Sequence, residues 1–191
     1  MNVILENIYL MSKSWFDIEY LSEAGPALIH ISEVIDNRGS FNRVFCSDEL
    51  QKALPFQRLR QINLSVSSHL GTVRGLHFQK KPFEEAKILQ CLDGSINDYL
   101  VDLRHDSEHM GRVYKIKLSD QINTAIFIPK GFAHGFQTLE DNTRLMYFHD
   151  QAYNKNAEAG ISIFSRELLI ELDQSVSVIS DRDKSFPEYE S

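Results

Sequence analysis

Hydrophobic and polar residues alternate in short runs along most of this chain, with a period of two rather than 3.6. Residues 95–103 (Ser-Ile-Asn-Asp-Tyr-Leu-Val-Asp-Leu) and 112–118 (Arg-Val-Tyr-Lys-Ile-Lys-Leu) show it most plainly. Alternation puts apolar side chains on one face of an extended segment, so each run predicts a half-buried β-strand. The same reading makes strands of residues 27–35, 59–67, 86–92, 124–129 and 144–149. Turn signals separate them, including Asp36-Asn-Arg-Gly39 and Asp93-Gly94. Residues 47–54 read as a short helix, with Ser47 expected as its N-cap and Pro55 closing it. Many short strands at near-even spacing predict an all-β sandwich or barrel with short peripheral helices. No fixed-period repeat or internal linker divides the chain. Residues 1–14 read as an N-terminal extension, an edge strand or a partner-wrapping arm, and 15–191 as a single domain. The polar segment 180–191 is expected as loop or short helix.

Composition narrows the function classes. A chain of 191 residues with 42% apolar content can bury a core and still enclose a ligand cavity. The net charge of −7 argues against nucleic acid as a partner. A few local Arg and Lys residues can still bind a diphosphate. Two isolated cysteines, Cys46 and Cys91, do not make a secreted disulfide framework. The first residues are interrupted by Glu6 and are a poor signal peptide, and no apolar run approaches membrane-spanning length. The expected compartment is the cytoplasm, with no membrane partner.

Chemistry concentrates in two blocks. Gly71-Thr-Val-Arg74-Gly-Leu-His77-Phe-Gln79 is answered by Ile128-Pro-Lys-Gly131-Phe-Ala-His134-Gly-Phe136. The spacings G-x5-H and P-x-G-x2-H resemble the two halves of the cupin motif, which implies a double-stranded β-helix, or jelly-roll barrel. A metal-binding cupin carries a second histidine two residues after the first; here that position is Gln79. The imidazoles are therefore expected to move protons rather than hold metal. The rival reading is an Fe(II) site on His77, Glu84 and His134. Two buried, hydrogen-bonded core histidines are the plain alternative. Arg74 beside His77 suits an anionic ligand better than a core. Lys87, between Ala86 and Ile88, is expected to face inward, where an ammonium can stabilise an enolate oxygen. Tyr147 and Tyr153 carry no signal alone. Ser180-Asp181-Arg182-Asp183 reads either as a surface charge cluster or as the source of an Asp that orients His77.

Together these residues resemble the dTDP-4-dehydrorhamnose 3,5-epimerase family. The match runs from residue 29 to 187 through Asp36-x-Arg38-Gly39-x-Phe41, Gln61-x-Asn63-x-Ser65, Arg74-Gly-Leu-His77-Phe-Gln79, Lys87, Val101-Asp-Leu-Arg104, the 128–136 block, Tyr147, Tyr153, Glu158 and Ser180-x-x-Asp183. The resemblance implies roles. His77 is the base at carbons flanking the C4 ketone of a nucleotide-linked 4-keto-6-deoxyhexose, and Asp183 is its dyad partner. Tyr147 is the acid on the opposite face. Lys87 and His134 surround the C4 oxygen. Arg38, Gln61, Asn63 and Arg74 contact the nucleotide and diphosphate, and Tyr153 stacks on the base. Glu158 and Arg182 complete the substrate-binding set. The resemblance implies no metal and no cofactor. It also implies a homodimer whose strands cross, with Arg38 serving the partner's site. The chain departs from the family at Arg43, where a Glu usually fixes the nucleotide, and at Phe148, Ile163, Ser165 and Leu172-Asp173. These departures lead to an expectation of weaker discrimination among nucleotide bases. They also fit a sibling enzyme that inverts one carbon only or takes another nucleotide sugar. Outside the class stand a metal-dependent oxygenase and a non-catalytic sugar-binding cupin.

Overall fold

The computed structural model describes residues 14–190. Of the expected N-terminal extension, residues 1–13 lie outside the described residues.

Among the described residues, thirteen strands and two short helices follow one another: β1 (Phe16–Tyr20), β2 (Ala27–Ile31), β3 (Glu33–Asp36), β4 (Gly39–Asn42), α1 (Ser47–Ala53), β5 (Gln61–Ser67), β6 (Val73–Gln79), β7 (Lys87–Asp93), β8 (Ser95–Asp102), β9 (Val113–Ser119), β10 (Thr124–Ile128), β11 (Phe132–Thr138), β12 (Thr143–His149), β13 (Glu158–Gly160) and α2 (Asp181–Lys184). A six-stranded sheet has the order β1-β2-β10-β7-β12-β5, and a five-stranded sheet the order β13-β6-β11-β8-β9. Every pairing within them is antiparallel. Strands that neighbour in space but not in sequence make this the jelly-roll barrel of the cupin fold.

Alternation decides what each face buries. Inner-face Leu89, Ile96, Leu100, Leu118, Ile126 and Phe136 pack between the sheets. Full burial of a side chain of this size contributes about 1.5–3 kcal/mol, which makes the barrel walls rigid. Helix α1 covers the outer face of the larger sheet, setting Leu50 and Leu54 against Ile29, Ile88, Phe127 and Phe148. The 161–189 segment covers the smaller sheet, packing Ile161, Ile163, Leu168 and Tyr189 on Val73, Tyr99 and Val101.

Three sequence expectations change. The 27–35 strand is two strands: β2 ends at Ile31 in the larger sheet, and β3 begins at Glu33 outside it. Hairpin β3–β4 then stands alone as a two-stranded ribbon. The cap of α1 is Cys46 rather than Ser47, and no side chain caps it. Strands β1 and β13 lacked a long enough alternating run to be predicted.

Candidate active site

Two glycines bring the histidine strands together. A Cβ on Gly75 would lie 2.5 Å from the His134 carbonyl oxygen, and one on Gly135 would lie 2.5 Å from the Arg74 carbonyl oxygen. Gly75 also has φ +98°, a region that disfavours any side chain. With both Cβ atoms absent, β6 and β11 close on each other and His77 becomes the register partner of His134.

The inner face opens into a cavity of about 220 Å³. Asn63, Arg74, His77, Lys87, His134, Tyr147 and His149 are among its lining. β5, β7 and β12 supply one wall, and β6 and β11 the other.

On the β6–β11 wall each imidazole has a carboxylate. His77 Nε2 is 2.9 Å from Asp183 Oδ1, across 106 residues of sequence. The other Asp183 oxygen accepts the Gly75 N–H at 2.9 Å, and the Asp183 N–H donates to its cap, Ser180 Oγ, at 3.0 Å. Burial works to raise the Asp183 pKa. The bonds from His77 and Gly75 outweigh it and hold the carboxyl well below the usual range. Asp183 is thus ionised and accepts a hydrogen bond from the Nε2–H, which leaves the His77 lone pair on Nδ1. The ring is also held by Phe186, edge-on with centroids 5.5 Å apart. His134 Nε2 lies 2.7 Å from Oδ1 of Asp98, a fully buried carboxylate.

The facing wall holds a proton tightly. Tyr147 packs against His134 and stacks on His149, at centroid distances of 6.1 and 5.9 Å. Burial, with the nearby Asp98 charge, raises its phenol far above the ordinary value, against a smaller opposing effect of Arg74. Lys87 faces inward as expected and lies 3.0 Å from Glu85 Oε1.

A hydrogen-bonded chain leads outward from the dyad. Arg182 Nε donates to Asp183 Oδ1 at 3.3 Å, and its Nη1 donates to Glu158 at 2.7 Å. Glu158 accepts from the Tyr153 hydroxyl at 2.9 Å, and the Tyr153 N–H donates to Gln61 Oε1 at 2.9 Å. Tyr153 itself is 55% exposed, a ring offered to solvent at the cavity's edge.

Eleven of the twelve expected site residues therefore form two adjoining groups, the cavity and this chain. Asp183 belongs to the cavity group through His77. The orienting reading of the 180–183 cluster replaces the surface reading for Asp183. Arg38 stays apart, with a side chain 86% exposed and paired to Asp36 at the tip of the β3–β4 hairpin. Arg43, which stands where the family usually has a Glu, is also outside both groups. It donates to Glu49 at 2.9 Å and lies over the Trp15 ring, rather than lining this cavity. Gln79, at the second-histidine position, is a loop clamp: its Oε1 accepts the Asn154 N–H at 2.6 Å and its Nε2 donates to the Phe83 carbonyl at 3.0 Å.

Sequence reasoning missed Asp98, Glu85 and His149. A signal existed for two of them. Asp98 interrupts the inward apolar set Ile96 and Leu100, and His149 shares the inward face of β12 with Tyr147.

Comparisons with known proteins agree with this architecture. The family model described as dTDP-4-dehydrorhamnose 3,5-epimerase matches residues 22–191. A dTDP-4-dehydrorhamnose 3,5-epimerase of Mycobacterium tuberculosis (strain CDC 1551 / Oshkosh) is 37% identical over 161 residues, covering 82% of this chain and 79% of the relative. A dTDP-4-dehydrorhamnose 3-epimerase of Streptomyces niveus is 34% identical, covering 78% of this chain and 72% of the relative. The crystal structure of dTDP-4-dehydrorhamnose 3,5-epimerase from Bacillus anthracis with TDP and PPi bound superposes with a TM-score of 0.85 at 32% identity, covering 91% of this chain and 100% of that one. With the model matching every strand from β2 to β13 and every residue of the cavity, this chain belongs to the dTDP-4-dehydrorhamnose 3,5-epimerase family.

Proposed function

We propose that this protein epimerises a dTDP-linked 4-keto-6-deoxyhexose at C3 and C5, converting dTDP-4-dehydro-6-deoxyglucose to dTDP-4-dehydrorhamnose. One observation carries the reading. A carboxylate-oriented imidazole and a phenol with a strongly held proton stand on opposite sheets of one cavity, with an ammonium on the same cavity. Inverting a carbon next to a ketone requires a base on one face, an acid on the other and a cation for the oxygen.

In this scheme His77 takes the C–H proton and the bonding electrons move into the ketone, forming an enolate. Lys87 and His134 stabilise its oxygen. Tyr147 then gives its proton to the carbon from the opposite face, and solvent resets both groups. A phenol with a raised pKa still protonates an enolate carbon, which is far more basic. The ketone itself stores the electron pair, so the scheme calls for no redox cofactor.

The cavity is sized for the hexose rather than the whole nucleotide sugar. Arg74 at its rim is placed for the diphosphate, and the exposed Tyr153 ring for the base, since stacking tolerates any base. The Arg182–Glu158 pair holds Tyr153 in position. Two unpaired thiols, Cys46 and Cys91, support a reducing cytoplasmic setting. We further infer a homodimer, in which the β3–β4 hairpin carries Arg38 to the partner's cavity. Ile35 and Phe41 on that hairpin are 74% and 63% exposed, as expected of a face that is covered on assembly. Sedimentation of the purified protein, with and without Arg38→Ala, tests the assembly, and loss of dTDP affinity in that variant tests the residue's role.

The decisive experiment is incubation with the 4-keto sugar in deuterated water, read by NMR. Deuterium at both C3 and C5 is the expected result. Deuterium at C3 alone would identify a single-centre enzyme, the activity named for the Streptomyces niveus relative. No incorporation at either carbon would overturn the proposal.

A further inference from the structure

The β7–β12 wall contains a buried pair that the epimerisation scheme leaves idle. Glu85 and His149 have side chains only 10% and 9% exposed. One Glu85 oxygen accepts from His149 Nδ1 at 2.8 Å, and the other is 3.0 Å from Lys87 Nζ. Burial works to raise the Glu85 pKa, but His149 and Lys87 together bring it below its ordinary value. The carboxylate is ionised, and its single charge is already matched by the ammonium.

The same carboxylate fixes the imidazole. Glu85 only accepts, so the hydrogen on Nδ1 is the one donated to it. With that hydrogen on Nδ1, Nε2 is the ring atom left to accept, through its lone pair. Asn63 Nδ2 sits 3.3 Å from that lone pair, on the neighbouring strand β5. A lone pair accepts only from N–H, so the amide must turn its NH₂ to His149. Asn63 makes no other side-chain hydrogen bond among the described residues, and it lines the cavity.

We propose that Glu85 and His149 are positioning residues that fix the polarity of the Asn63 amide, so that its carbonyl oxygen faces the cavity and accepts a hydrogen bond from a hydroxyl of the bound hexose. The inference rests on the nucleotide-sugar reading above and changes one part of it, since Asn63 was expected on the nucleotide and diphosphate. Ionised phosphate oxygens only accept hydrogen bonds, so a carbonyl oxygen cannot bind them. A sugar hydroxyl can donate.

Calorimetric titration with dTDP and with dTDP-glucose, which has hexose hydroxyls but no ketone to enolise, tests this. His149→Phe keeps a ring beside Tyr147 and removes both hydrogen bonds. His149→Gln retains one donor and one acceptor. Asn63→Ala, on an edge strand, covers the case in which the buried variant does not fold. The expected result is that His149→Phe and Asn63→Ala weaken dTDP-glucose about 3–10-fold, the loss of one neutral hydrogen bond. Binding of dTDP should stay within about twofold, well under that hydrogen-bond loss. His149→Gln should recover most of the lost affinity. Equal weakening of both ligands would place Asn63 on the diphosphate and overturn the inference, as would unchanged binding of both. A wild-type protein that binds neither ligand would instead remove the functional reading, and the inference with it.

Discussion

The two walls of the cavity hold their ionisable groups in opposite ways. On the β6–β11 wall each imidazole has a carboxylate of its own, His77 with Asp183 and His134 with Asp98. On the β7–β12 wall one carboxylate, Glu85, is shared between Lys87 and His149, and the Tyr147 hydroxyl has no hydrogen-bond partner among the described residues. A dedicated carboxylate stabilises an imidazolium once it forms, which suits the first wall to the receiving role proposed for it. A partly buried phenol without an acceptor keeps its proton until a strong base is presented, which suits the second wall to the giving role. In the proposed scheme, then, the direction of proton transfer follows the number of partners each group is given more than its residue type.

Removing the receiver should have the largest effect. His77→Ala is expected to lower deuterium exchange at both carbons by about 10²–10⁴-fold with the fold retained, because a positioned general base is lost. Near wild-type exchange in that variant would erase the distinction between the walls. Removing the giver should separate two rates. In Tyr147→Phe, product formation should fall by about 10²-fold, while exchange at the first carbon falls clearly less, since abstraction does not need the far-face acid. Equal losses would mean that Tyr147 is not a separate acid.

The dyad should also be visible in stability. The Asp183 carboxyl is held low in the folded state, so its stabilisation is fully present above the unfolded Asp value of about 3.9 and is lost as pH falls through the lower folded value. Asp183→Asn should therefore melt below wild type at pH 7, and the gap should narrow steadily below about pH 4, where the unfolded carboxyl takes up its proton. A gap that stays constant with pH would show that His77 and Gly75 do not stabilise the charge. The smallest effect is expected outside both walls. Arg43→Glu exchanges a half-exposed ion pair with Glu49 for a like-charge pair, costing about 1 kcal/mol in denaturant unfolding. Preference among dTDP, UDP and CDP should not change, because the Arg43 guanidinium is engaged by Glu49 and the Trp15 ring. A shift toward dTDP would return Arg43 to the base site.

Much of the barrel was legible in the alternation of residues, because a strand with one buried face must alternate. The runs at 95–103 and 112–118 became β8 and β9 within a residue or two at each end. Fully exposed β3 and three-residue β13 have no such constraint, and their positions depend on partners distant in sequence. Site residues were legible where a motif names a side chain, as at His77 and His134. Their carboxylates were less so. Asp183 was one of two readings of a charged cluster, and Asp98 and Glu85 were not singled out at all. An ion pair across 36 or 64 residues leaves no periodic trace, so only the packed structure reveals it. Arg43 shows the converse, a conspicuous substitution whose side chain finds a neighbour six residues along.

Asp183 reaches the dyad from a segment fastened to the finished barrel. Val178 bridges to Thr72, the Val73 N–H bonds the Val178 carbonyl, and the Tyr189 N–H bonds Ser165. Both sheets are complete in sequence by residue 160, more than a full strand length before the carboxylate appears. On the ribosome, the barrel strands emerge before the orienting group exists, so a nascent barrel would pass through a stage with a cavity and an unaligned His77. Proteolysis between residues 161 and 178 would produce the same stage in reverse, and activity would disappear while most of the β signal in circular dichroism remained.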